Sequence, residues 1–213
     1  MTYLFWFAVS TTFSICSRQK NISAKVLAIT ISPRSTYKIC SYVLLSKNHP
    51  ITMKEETLCL HYKTYDYDEL PALERQLIDS AKAACASAYA PYSKFQVGAA
   101  AWLDNGEIVC GSNQENAAYP SGTCAERCTV FYANARFPGS AVLILAIAAS
   151  NTPGEFLSSP ITPCGACRQV LLETQRRFNT PMRILLYGTS QVLAFDSIDA
   201  LLPFQFTGED IKM

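Results

Sequence analysis

The sequence predicts an α/β domain of three layers (α/β/α), with helices on both faces of a mixed five-stranded sheet. Three observations predict it. Helix-like and strand-like segments alternate from residue 68 onward instead of clustering by type. One run, Val142 to Ala149, is continuously apolar, as in a central strand covered on both faces. Hydrophobic residues make up 49% of the chain and charged ones 16%, enough apolar material for a core on each side of a sheet.

The elements follow in order. Asp68-Glu69-Leu70-Pro71 reads as a helix start with an acidic first turn. Leu70, Leu73, Leu77, Ala81, Ala84 and Ala88 recur at helical spacing, and the helix should stop before Ala90-Pro91-Tyr92-Ser93. Val97 to Leu103 and Glu107 to Gly111 flank Asp104-Asn105-Gly106, a β-hairpin signal. A second helix is expected over Cys124 to Phe137, ended by Pro138-Gly139. After the central strand come a helix over Gly165 to Phe178, strands at Met182 to Tyr187 and Val192 to Phe195, and a short helix over Ser197 to Leu202. No internal repeat is present.

Charge is unevenly spread over the 213 residues. Residues 1–54 hold seven Lys or Arg and no acid, whereas the remainder holds 11 Lys or Arg against 17 Asp or Glu, a net of −6. A grip on DNA or RNA needs a basic face, which the acidic body lacks, so a small and weakly charged substrate fits better. Residues 1–54 are also rich in Ser, Thr and aromatics. The apolar opening, Tyr3 to Ile15, is too short to span a membrane and has no basic leader. Three readings stand for this segment: an organelle transit peptide, a weak signal or anchor, and upstream sequence read from the wrong start, with Met53 as the true one. The last is the expectation.

Nine cysteines in a small secreted protein would suggest disulfides, but nine is odd and three fall in a metal-type spacing. A reducing, cytoplasmic compartment with thiolate ligands is the expectation. Both histidines, His49 and His61, precede this region, so carboxylate, thiol or water must do the acid–base work.

Two short segments carry the chemistry, Thr123-Cys124-Ala125-Glu126-Arg127 and Pro163-Cys164-Gly165-Ala166-Cys167-Arg168-Gln169. Cys124 opens one predicted helix, and Cys164 and Cys167 open another. A helix N-terminus lowers a thiol's pKa and favours the thiolate that binds metal. Three cysteines suit a catalytic zinc, one per chain, with water in the open position, whereas a structural zinc closes all four positions; Cys128, directly after Arg127, is expected to have no ligand role. Glu126, in the first turn of its helix, can point at that water without ligating and shuttle protons. A ligand, one residue, Glu, then Pro-Cys-x-x-Cys is the signature of zinc deaminases. Three thiolates leave Zn²⁺ with net negative charge, so Arg127 and Arg168 are expected as cationic donors to the sulfurs.

The chain resembles the small, homotetrameric, three-cysteine cytidine deaminases. Five stretches carry the resemblance: Pro91-Tyr92-Ser93-Lys94-Phe95-Gln96-Val97-Gly98-Ala99-Ala100, Asn113-Gln114-Glu115-Asn116-Ala117, Tyr119-Pro120, Cys124-Ala125-Glu126-Arg127 and Pro163 to Gln169. The resemblance extends over most of residues 68–211. Residues 1–60 have no counterpart in the family, so they are expected to be an extension, disordered or absent from the native product, ahead of a deaminase domain over 61–213. The resemblance implies hydrolytic deamination of cytidine and deoxycytidine to uridine and deoxyuridine plus ammonia, by zinc-activated water, in pyrimidine salvage. It implies that Cys124, Cys164 and Cys167 ligate zinc and that Glu126 is the proton shuttle. Asn113 and Glu115 would bind the ribose 3′-hydroxyl, and a carboxylate there would repel a 3′-phosphate. Phe95 would pack on the pyrimidine, and the Ala125 backbone N–H would bind a base carbonyl. Tyr119 and Phe206 would cross into a neighbouring subunit's site. Neither a nucleic-acid polymer nor a membrane is an expected partner.

Three rivals are weighed against this. A deaminase of a cytosine-bearing antibiotic such as blasticidin S shares the zinc motif but has no use for the Asn113/Glu115 pair. A polynucleotide-editing deaminase is disfavoured by the acidic body. A non-catalytic zinc-binding module leaves Glu126 without a task. Cys16, Cys40, Cys59, Cys85, Cys110 and Cys128 are expected to be unliganded.

Overall fold

The computed structural model describes residues 53–211. The chain divides into two units, Met1–Thr57 and Leu58–Met213. Of the first, residues 53–57 are exposed and without regular structure. The transit, anchor and wrong-start readings lie outside the described residues.

The second unit is a three-layer α/β domain. Its strands are β1 (Lys63–Tyr65), β2 (Gln96–Leu103), β3 (Ile108–Ser112), β4 (Val142–Thr152), β5 (Glu155–Phe156), β6 (Arg183–Tyr187) and β7 (Val192–Phe195). Its helices are α1 (Ala72–Ala84), α2 (Ala125–Arg136) and α3 (Gly165–Phe178). The sheet runs β1-β7-β6-β4-β2-β3, with β5 added to β4. Only β4 and β6 pair in parallel, joined by the α3 crossover; the other pairs are antiparallel. The sheet is therefore mixed, but it has seven strands rather than five. The two additions are three and two residues long, too short to register as an alternating pattern.

Side chains of the central strands alternate between two buried faces with the period of two that a pleated sheet requires. Val97, Ala99, Ala101 and Leu103 of β2 pack with Leu145, Ile147 and Ala149 of β4 against α2 and α3, in a core with Val130, Leu171 and Leu172. Ala100 of β2 and Ile144, Ala146 and Ala148 of β4 face α1, meeting Leu77, Ile78 and Ala81. β4 thus buries both faces, which explains its unbroken apolar run.

Two glycines set how closely the helices approach. A methyl group at Gly98 would overlap the Ala81 carbonyl and stand 2.7 Å from Cys85 N, so α1 lies almost on β2. At Gly111 a methyl would stand 2.6 Å from Thr129 Oγ1 and 2.8 Å from Thr129 N, so α2 is equally close to β3 on the opposite face.

One helix boundary differs from expectation. Asp68 and Glu69 belong to a separate 3₁₀ turn, Tyr67–Glu69, closed by a capping box between Asp66 and Glu69. Leu70 is extended (φ −72°, ψ 148°) and α1 begins after Pro71. The residue before proline is driven out of the helical region, which separates the two elements. The short C-terminal helix is likewise a 3₁₀ turn, Ile198–Leu201, capped by the Ser197 hydroxyl.

Candidate functional site

α2 and α3 begin at the same place. Cys124 is the N-cap of α2 and Cys164 the N-cap of α3, both with extended backbone. Their carbonyls accept the first helical bonds, from Cys128 N at 3.0 Å and Arg168 N at 2.9 Å. Cys167 follows one turn into α3, so its thiol returns to the same point. The three Sγ atoms lie within 4.8 Å of one another, and those of Cys124 and Cys164 are 3.9 Å apart. Tetrahedral zinc with Zn–S bonds of about 2.3 Å needs sulfurs about 3.8 Å apart, so the donor set fits the ion. Three thiols this close share protons. Cys124 is pulled down to about 5 by the hydrogen bond from Cys167, then by Arg127 and Cys164. Cys167, facing the Cys124 thiolate and buried, is pushed up. A thiolate is thus already favoured where a cation would sit. Among the described residues no other group of His, Cys, Asp or Glu converges in this way. Cys59, Cys85, Cys110 and Cys128 are free and outside the cluster, and Cys16 and Cys40 lie outside the described residues.

A cavity of about 670 Å³ opens beside the sulfurs. Cys124, Ala125, Glu126, Arg127 and Cys164 line it, together with Phe95, Asn113, Glu115 and Tyr119. The volume suits a ligand of nucleoside size. Glu126 is the second residue of α2 and only 5% exposed. Burial raises its carboxyl pKa, and the negative charge on Cys124 raises it further. Arg127 donates from Nη2 to Cys124 Sγ at 3.5 Å, while its Nε is buried without a partner.

Arg168 behaves differently from the expected sulfur donor. It donates from Nε to Pro163 O (2.8 Å), from Nη1 to Leu201 O (2.9 Å) and from Nη2 to Thr162 Oγ1 (3.1 Å). Three of its five N–H groups go to the segment ahead of Cys164 and to the C-terminal turn, and none goes to sulfur.

Asn113 ends the β3 side of the hairpin with its amide turned onto the start of β2. Oδ1 accepts from Val97 N (2.8 Å) and Nδ2 donates to Phe95 O (2.9 Å). These bonds fix the half-buried Phe95, which packs on the α2/α3 core and faces the cavity. Glu115 accepts from the Ser93 hydroxyl, from Tyr92 N (2.9 Å) and from Ser93 N (3.3 Å). The Ser93 hydroxyl, with the two amides, lowers its carboxyl pKa. The Pro91–Phe95 loop turns sharply at Lys94, a non-glycine residue at φ 60°. Tyr119 is 79% exposed at the cavity rim; Phe206 is 60% exposed and does not line the cavity of its own chain.

Sequence reasoning gave no site role to eight of the lining residues, among them Ser93, Ile161 and Thr162. Ser93 carried a signal, a hydroxyl residue in a turn that accepts from the amide two positions on, Phe95 N at 3.0 Å. Ile161 and Thr162 lie in an irregular segment and carried none.

Comparison with known proteins agrees with this geometry. The family model for the cytidine and deoxycytidylate deaminase zinc-binding region matches residues 72–180. A cytidine deaminase of Halalkalibacterium halodurans is 38% identical over 141 residues, 66% of this chain and 99% of the relative. One from Sporosarcina psychrophila is 39% identical over 137 residues, 64% of this chain and 93% of the relative. Among solved structures, the cytidine deaminase of Burkholderia pseudomallei aligns with a TM-score of 0.53 at 38% identity, covering 62% of this chain and 97% of that one.

Proposed function

The chain belongs to the zinc-dependent cytidine and deoxycytidylate deaminase family, and on that premise we propose that it hydrolyses free cytidine and deoxycytidine to uridine and deoxyuridine, releasing ammonia. The observation that carries the reading is the convergence of Cys124, Cys164 and Cys167 beside the buried Glu126 in one cavity. The antibiotic, polynucleotide and binding-module readings are not favoured by this family membership.

The three cysteines would hold the zinc. When bound, zinc lowers the pKa of a coordinated water and so supplies a nucleophile at neutral pH. Glu126 takes a proton from the attacking water, delivers it to pyrimidine N3, and then helps protonate the departing amine. Its burial keeps bulk water out of that transfer. Ala125 is the first residue of α2, and its N–H is one of those a helix start leaves free, available to a base carbonyl. Phe95 packs on the ring. Asn113 keeps one amide hydrogen beyond its bonds to Phe95 O and Val97 N and, with Glu115, takes the ribose 3′-hydroxyl. Arg127 offsets the thiolate charge through Cys124, and Arg168 holds the segment leading to Cys164.

Tyr119 and Phe206, both aromatic and largely exposed, would complete the sites of neighbouring subunits in a homotetramer. The catalytic domain spans residues 61–213, with 1–60 an extension. Thiolate ligation suits the cytoplasm, where cysteines stay reduced.

The test is turnover of cytidine and deoxycytidine by the purified protein, with ammonia release, zinc content and mass by light scattering recorded together. One zinc per chain, turnover of both nucleosides and a tetrameric mass are expected. Zinc without turnover would overturn the reaction, and full activity at monomer mass would overturn the shared sites.

A further inference from the structure

Between β5 and α3 the chain runs for eight residues, 157–164, without regular structure. Its second half lines the cavity through Ile161, Thr162 and Cys164. An irregular wall needs anchors to hold a binding surface in place. One anchor, Arg168, grips Thr162 and Pro163 from α3. The other comes from the turn between β6 and β7, far along the sequence and outside the cavity. There Thr189 N donates to Leu157 O (2.9 Å), while Ser190 donates to Ser158 O from both its N (3.1 Å) and its hydroxyl (2.6 Å).

Gly188 lets the two segments meet. It is buried, and a methyl group there would overlap Ser158 O and stand 2.7 Å from both Cδ and N of Pro160. Most of those neighbours are backbone or a proline ring, neither of which can swing aside. The turn itself is closed by Gly188 N donating to Gln191 O at 3.0 Å, so it is braced against moving the other way.

From this geometry we infer that the β6–β7 turn, through Gly188 and Ser190, is a positioning element for the substrate cavity, fixing the wall that carries Ile161 and Thr162. This rests on the deaminase reading for the identity of the substrate, but not for the mechanics of the wall. Neither residue touches the reacting atoms, so a displaced wall weakens ground state and transition state alike. That raises KM and spares kcat.

The test uses the full-length zinc-loaded protein with Gly188→Ala, Ser190→Ala and the double variant Gly188→Ala/Pro160→Ala. For Gly188→Ala, KM for cytidine should rise about tenfold, with kcat within about twofold and zinc content unchanged. Ser190→Ala keeps the backbone bond and should give a smaller rise in the same direction. Removing the proline ring in the double variant should recover part of the loss. Amide exchange, read by mass spectrometry, should quicken across 157–163 in Gly188→Ala. An unchanged KM and unchanged exchange in that segment would overturn the inference. Should Gly188→Ala fail to fold, Ser190→Ala decides by the same two readouts. A parent protein that does not turn over cytidine refutes the deaminase reading instead, and the exchange data then judge the wall independently.

Discussion

Glu126→Gln removes the proposed proton carrier while keeping its shape. The side chain is 5% exposed, so the amide fills the same space without a cavity or a clash. A positioned general acid–base group contributes about 10²- to 10⁴-fold, or about 3–5 kcal/mol of barrier at 1.36 kcal/mol per decade. Burial argues for the upper part of that range, because bulk buffer reaches the position poorly and cannot substitute for the lost carboxylate. Stability should not fall. Burial disfavours ionisation of Glu126, so a neutral amide of the same shape adds no desolvation cost. The assay is steady-state loss of cytosine absorbance with zinc analysis and thermal unfolding on the same sample. The expected result is kcat down by about three to four decades, one zinc per chain, and Tm equal to or above the parent's. A kcat within about tenfold of the parent, with zinc retained, would refute Glu126 as the carrier. Loss of zinc would make it a ligand instead.

Further expectations follow from the loop, the helix contact and the extension. Glu115 is held ionised by the Ser93 hydroxyl and two amides, so its binding role is lost only as pH falls through a value below the ordinary glutamate range. Ser93→Ala should move that acid limb of the KM profile to higher pH, and an unmoved limb counts against the assignment. Gly98→Ala forces α1 off β2 and should cost about 1–3 kcal/mol, a drop in Tm of about 3–10 °C by calorimetry; an unchanged Tm would mean the layers slide freely. A chain beginning at Met53 should keep zinc content and kcat/KM; failure to fold would make the preceding residues part of the domain.

The fold was legible wherever pattern was strong and local. Leu73, Leu77 and Ala81 at helical spacing mark α1, and the apolar run from Val142 marks the strand buried on both faces. Pro71 was legible too, yet it was read inside the helix when it separates a 3₁₀ turn from α1. β1 and β5 escaped because two or three residues carry no period. The cysteine cluster was readable since its members sit at helix starts, where chain direction and thiol pKa are both set by neighbours one turn away. Arg168 shows the limit. Its charge suggested sulfur, but one of its partners is the carbonyl of Leu201, 33 residues on, and no local signal announces a partner at that distance.

The Asn113 amide splices the start of β2, so the side chain is at once a piece of the sheet and a piece of the cavity. Glu115, two residues away, is held by a surface loop instead. The two neighbours therefore differ in evolvability. Replacing Asn113 breaks two strand contacts before it alters any choice of sugar, and selection sees misfolding first. Replacing Glu115 loosens only the Tyr92–Ser93 turn. Laboratory evolution toward altered sugars should accordingly accumulate changes at Glu115 and Ser93 and leave Asn113 untouched.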